Sequence, residues 1–400
     1  MTDQPTHLLP GPLTPHATHP HHRLASIDLL RGLIIALMAL DHVRDLTTPQ
    51  PPMMDFAHAS PALFFTRWIT HFCAPTFVLL AGIGAFLYGA HGRTRREVSR
   101  FLLTRGLWLV FIELTVVSFA WNFCLGAHFV LVVQVIWAIG LSMICLAGLL
   151  WLPRPAVLAV GAGMILAHNL LDGVQPPAGQ ASPLWLIAHI QGFFRIGGLR
   201  VFLCYPLIPW IGVMAVGYAA GPVFRLTDPA RRRRTLFLTG LVLTLAFFAL
   251  RIPDLYGEPN PWHRQPTLSA TLVDFFDVTK YPPSLQFLCM TLGPAFLLLA
   301  AFDRAKGRLT DAFVTIGRVP FFFYIIHLYV IHTVAVLIGL AQGFPLDRVA
   351  TFFFYYPQGF GLNLPAVYFV WAGVVLTLYP ACRAFAALKH RRHDWWLSYL

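Results

Sequence analysis

The stretch RGLIIALMALDH, residues 31–42, constrains this chain more than any other. Its apolar centre, from Gly32 to Leu40, is too short to cross a bilayer, which takes roughly 20 apolar residues. The helix that carries it therefore extends from about residue 24 to residue 45, holding Asp28, Arg31, Asp41 and His42 at or inside the membrane edges. At about 1.5 Å and 100° per residue, the step from Arg31 to His42 covers roughly 16 Å and three turns plus about 20°. Both side chains then lie on one face, a cation near one membrane surface and an imidazole near the other.

Composition agrees with a membrane setting. The chain is 57% hydrophobic and only 12% charged, where a soluble domain carries about 25% charged residues. Its net charge of +12 reads as membrane sidedness and not as a nucleic-acid footprint. The six cysteines are scattered through apolar runs with no CxxC or metal spacing, and they read as packing residues. No metal site is expected. The His- and Pro-rich residues 1–23 contain no apolar signal core and read as a disordered tail. Residues 24–390 form the membrane domain, and 391–400 a short second tail.

About ten apolar spans are readable, near residues 24–45, 67–90, 104–123, 129–151, 155–171, 202–224, 235–251, 284–302, 312–340 and 365–388. The fold class is thus all-α and polytopic. The ninth span is long and carries Pro320 near its start, which predicts a tilt or a break. Pro75 predicts a kink in the second. With the N-terminus inside, the even-numbered loops, both tails and their helix edges hold 20 of the 29 basic residues. That bias places both termini in the cytoplasm. The longer loops, near 46–66, 172–201, 252–283 and 341–364, then face outward. Gly217 and Gly221 form a GxxxG, and Ala81, Ala85 and Gly89 are spaced alike, which are helix-packing signals.

Ionisable groups at membrane depth are functional candidates. His42, with Asp41 beside it to orient it, is the leading general base. His58 in DFAHASP and His71 in THFCAP are further candidates. A structural alternative has His71 bonding a carbonyl freed by Pro75. Glu113, in the middle of the third span, either pairs with a cation such as Arg31 or stays protonated. His327 and His332, five residues apart, do not share a face. No Walker, GxSxG, HExxH or dinucleotide-binding motif is present, which argues against soluble nucleotide-dependent chemistry.

RLASIDLLRGLIIALMALDH followed by HFCAPTFVLLAGIGAFL resembles the opening of the heparan-α-glucosaminide N-acetyltransferase catalytic-domain family, in its bacterial branch. KYPPSLQFLCMTLGP and GRVPFFFYIIHLYVIH echo it further along. The spacing from Arg31 to His42 is also similar to the motif of acyltransferase-3 proteins. The resemblance implies an acetyl or other acyl group taken from cytoplasmic acyl-CoA and delivered to a sugar or glycan beyond the membrane. It also implies that Arg31 meets the CoA phosphates. The lysosomal member has asparagine where His42 stands, and its catalytic histidine lies in a His-Ala-Ser stretch. His58, Ala59 and Ser60 match that stretch, so His58 shares the expectation of a catalytic role.

The expected protein is an integral acyltransferase of a bacterial-type inner membrane. Its catalytic residues are His42, His58 and Asp41, and Arg31 binds the donor. Acyl-CoA, a glycan or sugar acceptor and the lipid bilayer are its partners, with no nucleic acid. A transporter or flippase using the same polar wall is the competing class. The sequence leaves open the acceptor, the acyl chain, direct transfer against an acyl-histidine, and whether the chain forms homo-oligomers.

Overall fold

The structure, a computed structural model, describes residues 24–48, 60–126, 128–177, 181–392, 394 and 397. It is mostly helical, 72% helix and 4% strand. Among the described residues eight helices are long and apolar enough to cross a membrane. We number the principal helices as follows: α1 (Ala25–Thr47), α2 (Pro61–Gly89), α3 (Arg95–Asn122), α4 (Val135–Leu149), α5 (Arg154–Leu171) and α6 (Leu207–Arg225). After them come α7 (Pro229–Arg251), α8 (Leu285–Phe302), α9 (Arg308–Gly317), α10 (Pro320–Ala341) and α11 (Leu364–Arg391).

Helix α1 is the axis of the bundle, contacting α2, α8, α9, α10 and α11. It is built largely of Leu, Ala, Met and Ile, with β-branched side chains only at its isoleucines, Val43 and Thr47. Its last turn is closed by Thr47 and Thr48, whose hydroxyls donate to the carbonyls of Val43 and Arg44. Leu362 N donates to Thr47 O at 2.7 Å, and Trp371 Nε1 to Ala36 O at 2.7 Å, tying the helix to the C-terminal segment. Gly32 and Gly317 let α1 and α9 touch backbone to backbone. A Cβ on Gly32 would run into the Phe313 carbonyl, and one on Gly317 into that of Asp28. The GxxxG glycines work similarly: Gly217 and Gly221 of α6 receive Leu79 and Phe86 of α2.

The expected ninth span is two helices, α9 and α10, separated at Arg318 and Val319. Pro320 at the start of α10 disfavours helical geometry in the residue before it, which accounts for the break. In α2, a 3₁₀ turn at Ile69–Phe72 precedes the segment containing Pro75.

The all-α expectation needs one correction. Val130–Val133 (β1), Gly192–Ile196 (β2) and Leu199–Leu203 (β3) form a small sheet of order β1-β3-β2. β1 and β3 are parallel, and β2 returns antiparallel through Gly197 and Gly198, the former at φ +58°. Glycine there supplies the left-handed conformation a two-residue hairpin requires. Asn122 closes β1 like a further strand residue, accepting from Val130 N and donating to Val130 O, both at 2.9 Å.

The loop after α7 is held by one buried arginine. Arg251, 1% exposed, donates to the carbonyls of Asn260, Asp274, Phe275 and Asp277. Glu258 accepts from Thr279 N and from the Thr279 and Ser284 hydroxyls. Burial raises its pKa, with those hydrogen bonds opposing the shift. Together these anchors fix Lys280 and Tyr281 just before α8.

Candidate functional site

The polar end of α1 meets α2, the end of α3, the sheet and the 280–281 segment around a cavity of about 50 Å³. Asp41, His42, Asp45, Thr70, Gln134, Cys204 and Lys280 supply its polar lining, with Trp121, Phe202, Tyr205, Tyr281 and Phe353 as aromatic walls. The sheet is what brings Gln134, Phe202 and Cys204 here, each in a strand or one residue past its end.

His42 and His327 form a buried pair, with His42 Nδ1 and His327 Nε2 2.8 Å apart. His327 Nδ1 lies 3.0 Å from the Phe323 carbonyl on its own helix. That carbonyl only accepts, so His327 carries its proton on Nδ1 and, when neutral, offers Nε2 as an acceptor. His42 must then donate from Nδ1, which leaves its Nε2 as the proton-accepting nitrogen. Trp121 and Tyr324 pack edge-on against the His42 ring, at 5.1 and 6.2 Å between centroids.

Asp41, expected to orient His42, has its hydrogen-bond and ion-pair partners elsewhere. Adjacent residues on a helix point about 100° apart, and its carboxylate turns into an ion cluster. Arg44 Nη2 lies 2.6 Å from both Asp41 Oδ1 and Asp45 Oδ1, and Lys280 Nζ lies 3.9 Å from Asp41 Oδ2. The Thr70 hydroxyl sits 2.7 Å from Asp41 Oδ1. His327 supplies the orienting hydrogen bond instead.

Next to the small cavity, with Met38 and Val135 lining both, lies a larger cavity of about 690 Å³. Arg31, His91, Arg93, Arg105, Arg318 and Lys389 line it together with apolar and aromatic residues, and among the described residues no carboxylate lines it. Such a composition suits a long anionic ligand with an apolar stretch. Arg31 also faces Asp28 at 3.7 Å and the Leu80 carbonyl at 3.4 Å. A second basic cleft, lined by Arg318, Arg383, Lys389, His390 and Arg391, shares two cations with this cavity.

Other candidates fall elsewhere. Glu113 opens a π-helical turn in α3 and accepts from Gln134 N at 2.7 Å, capping the chain into α4. His332 bonds the Ala120 carbonyl at 2.7 Å and stacks on Phe123. His71 is buried against Phe287, and among the described residues neither ring nitrogen has a hydrogen-bond partner. His58 lies outside the described residues. Lys280, Arg44, Tyr205, Tyr281 and Gln134 join the site without having been marked by sequence. The readable signal for Lys280 was its place in KYPPSLQFLCMTLGP.

A model of the heparan-alpha-glucosaminide N-acetyltransferase catalytic domain matches residues 23–251, more than half of the chain. The chain belongs to that family. No curated protein matches it at a significant level. Membership in the heparan-alpha-glucosaminide N-acetyltransferase family makes the chain a membrane acetyltransferase. Arg31, Asp41, His42 and His58 lie within the family match, whereas Lys280 and His327 lie beyond it.

Proposed function

We propose that this protein transfers an acetyl group from acetyl-CoA to a sugar or glycan on the opposite side of a bacterial inner membrane. The two cavities, which share Met38 and Val135 as lining, carry the reading. One is large and cationic; the other is small and holds the imidazole, with Arg31 and His42 on one face of α1. In this reading the bundle has ten spans and both termini are cytoplasmic. The count takes α1 and the shorter α4 with the eight longer helices and joins α9 to α10. Arg318, Lys389 and Arg31 hold the donor's phosphates, and the pantetheine arm runs along α1 toward His42. The rise from Arg31 to His42 is roughly 16 Å.

The chemistry follows from the tautomer. His42 Nε2 removes the proton of an acceptor hydroxyl or amine as that atom attacks the thioester carbonyl. The C–S bond then breaks, and the departing thiolate takes the proton from the imidazolium. Protonated at Nε2, His42 still donates from Nδ1 to His327, so the ring is held throughout. Asp41 supplies negative charge at the same cavity and keeps Arg44 and Lys280 in place. His58 is the second candidate base.

Purified protein incubated with radiolabelled acetyl-CoA and membrane glycan extract tests the reading. Label on the glycan is the expected result. Glycan that crosses proteoliposomes unlabelled would replace the enzyme with a transporter.

A further inference from the structure

The basic cleft beside the large cavity lies between the junction of α9 and α10 and the last turns of α11. Thr315 and Arg318 line it from the first, and Arg383, Lys389, His390 and Arg391 from the second. Lysine and arginine gather at the inner edge of membrane proteins in general, and some of those at this end are neutralised at once. Arg232 Nη2 lies 2.7 Å from Asp303 Oδ1, and Arg233 Nη1 3.4 Å from Asp303 Oδ2. The cleft differs. Among the described residues no carboxylate lines it, and none pairs with Arg318, Arg383 or Arg391.

Its volume is about 860 Å³, and Ala386 and Ala387, whose side chains end at Cβ, leave that room among the cations. The helix that carries them is the most lipid-facing kind: only 17% of the apolar window of α11 is buried. Phe369, Leu376, Arg383 and His390 recur every seven residues along it, two turns less about 20°, so they form one stripe. Phe369 and Leu376 are 83% and 72% exposed, and Arg383 and His390 are exposed as well. From Leu376 to Arg383 the helix rises roughly 10 Å. An apolar stripe that faces the bilayer thus runs directly into a cationic cleft at the membrane edge, where an arginine keeps its stem in apolar surroundings and its head group in polar ones. A soluble phosphate compound would match the cations alone. A phosphate carrying a hydrocarbon tail matches both halves.

We propose that this cleft binds the headgroup of an anionic phospholipid, with an acyl chain lying along Leu376 and Phe369. Arg383 and Arg391, which do not line the large cavity, take the phosphate oxygens. Basic pockets between membrane helices at the inner leaflet hold acidic headgroups in this way. The inference goes beyond acetyl transfer and requires only that α11 spans a bilayer.

The test uses the full chain in a neutral detergent, with bound lipid counted by native mass spectrometry as phosphatidylglycerol or phosphatidylcholine is added. At about physiological ionic strength, charges more than roughly 8 Å away are screened, so a preference for the acidic lipid reports the cleft. Each cation beside an anionic headgroup is worth about fivefold in affinity. The wild type should therefore prefer phosphatidylglycerol by about tenfold or more. Replacing both Arg383→Gln and Arg391→Gln should weaken that lipid by about 30-fold and leave phosphatidylcholine unchanged. Arg231→Gln with Arg234→Gln removes the same charge from exposed positions at the start of α7 and should keep the preference. Ala387→Phe fills the cleft with every charge kept, should weaken phosphatidylglycerol as well, and decides the matter if the double arginine variant does not fold. A wild type that binds both lipids alike overturns the proposal. Cleft variants that keep the wild-type preference overturn it too, as does a loss just as large in the Arg231 and Arg234 pair, which would assign the effect to surface charge in general. Calorimetry with CoA and with inorganic phosphate supplies the last arm. If the cleft variants lose affinity for these while their lipid preference stands, the cleft belongs to a soluble phosphate and the lipid site is overturned.

Discussion

The direction of the hydrogen bond between His42 and His327 is set one turn away, at the Phe323 carbonyl. That relation separates a base from a positioning residue. His42→Ala should lower the transfer rate by about two to four orders of magnitude with acyl-CoA affinity little changed. His327→Ala removes the acceptor that fixes the tautomer, so it should lower the rate less and move the pH–rate profile. His327→Gln, which keeps a side-chain carbonyl able to accept from His42, should recover part of the loss. A His327→Ala enzyme with a wild-type rate and pH profile would strip that residue of its role. Asp41→Asn belongs to a different class. Its carboxylate is shared by Arg44 and Lys280, and breaking a buried ion pair costs up to about 3–5 kcal/mol. Its main effect should be a lower melting temperature in detergent, with the rate in the folded fraction reduced less than in His42→Ala.

At the scale of elements, much of the arrangement is legible in sequence because each membrane helix carries its own apolar signal. The ends of α5, α8 and α11 and the C-terminal end of α7 follow from hydropathy, whereas α7 starts six residues before the expected 235, in its basic stretch; Pro320 marks the break between α9 and α10. The sheet is not legible in that way. VLVV before α4 and RVFL before α6 are apolar runs continuous with helices, and short runs of this kind have no periodicity to tell strand from helix. The Gly197-Gly198 pair was the available hairpin signal. The site divides along the same line. Arg31, Asp41 and His42 are readable because one helix carries them. His327 joins His42 across 285 residues, and only packing against α1 brings it there. The contact between α1 and α9 can be tested directly. Gly32→Ala places a methyl against the Phe313 carbonyl, and overpacking of this kind costs about 1–3 kcal/mol. Gly163→Ala, where a Cβ meets nothing within 4 Å, is the control. The thermal midpoint should fall for the first and hold for the second; equal midpoints would mean that α1 and α9 are not in backbone contact.

The whole molecule adds a direction to the chemistry. The cationic cavity and its neighbouring basic cleft open at the end of the bundle that carries Arg93, Arg318, Arg391 and Lys389, and the His42 cavity lies toward the end held by Arg251 and Glu258. A donor confined to the cytoplasm can reach His42 only if the basic end faces inward. The excess of Lys and Arg on that side argues for the same sense. Single cysteines report it, in a background where Cys124 and Cys145, the two natural cysteines that are not buried, are replaced. Gln175 and Pro259, both exposed at the His42 end, should react with an impermeant maleimide on intact cells. Arg231, exposed at the start of α7, should react only after permeabilisation. Labelling of Arg231→Cys from outside would place the cationic cavity opposite the cytoplasm. Arg31 would then have no access to cytoplasmic CoA, and the same two cavities would have to be read as a path for a solute that enters from outside.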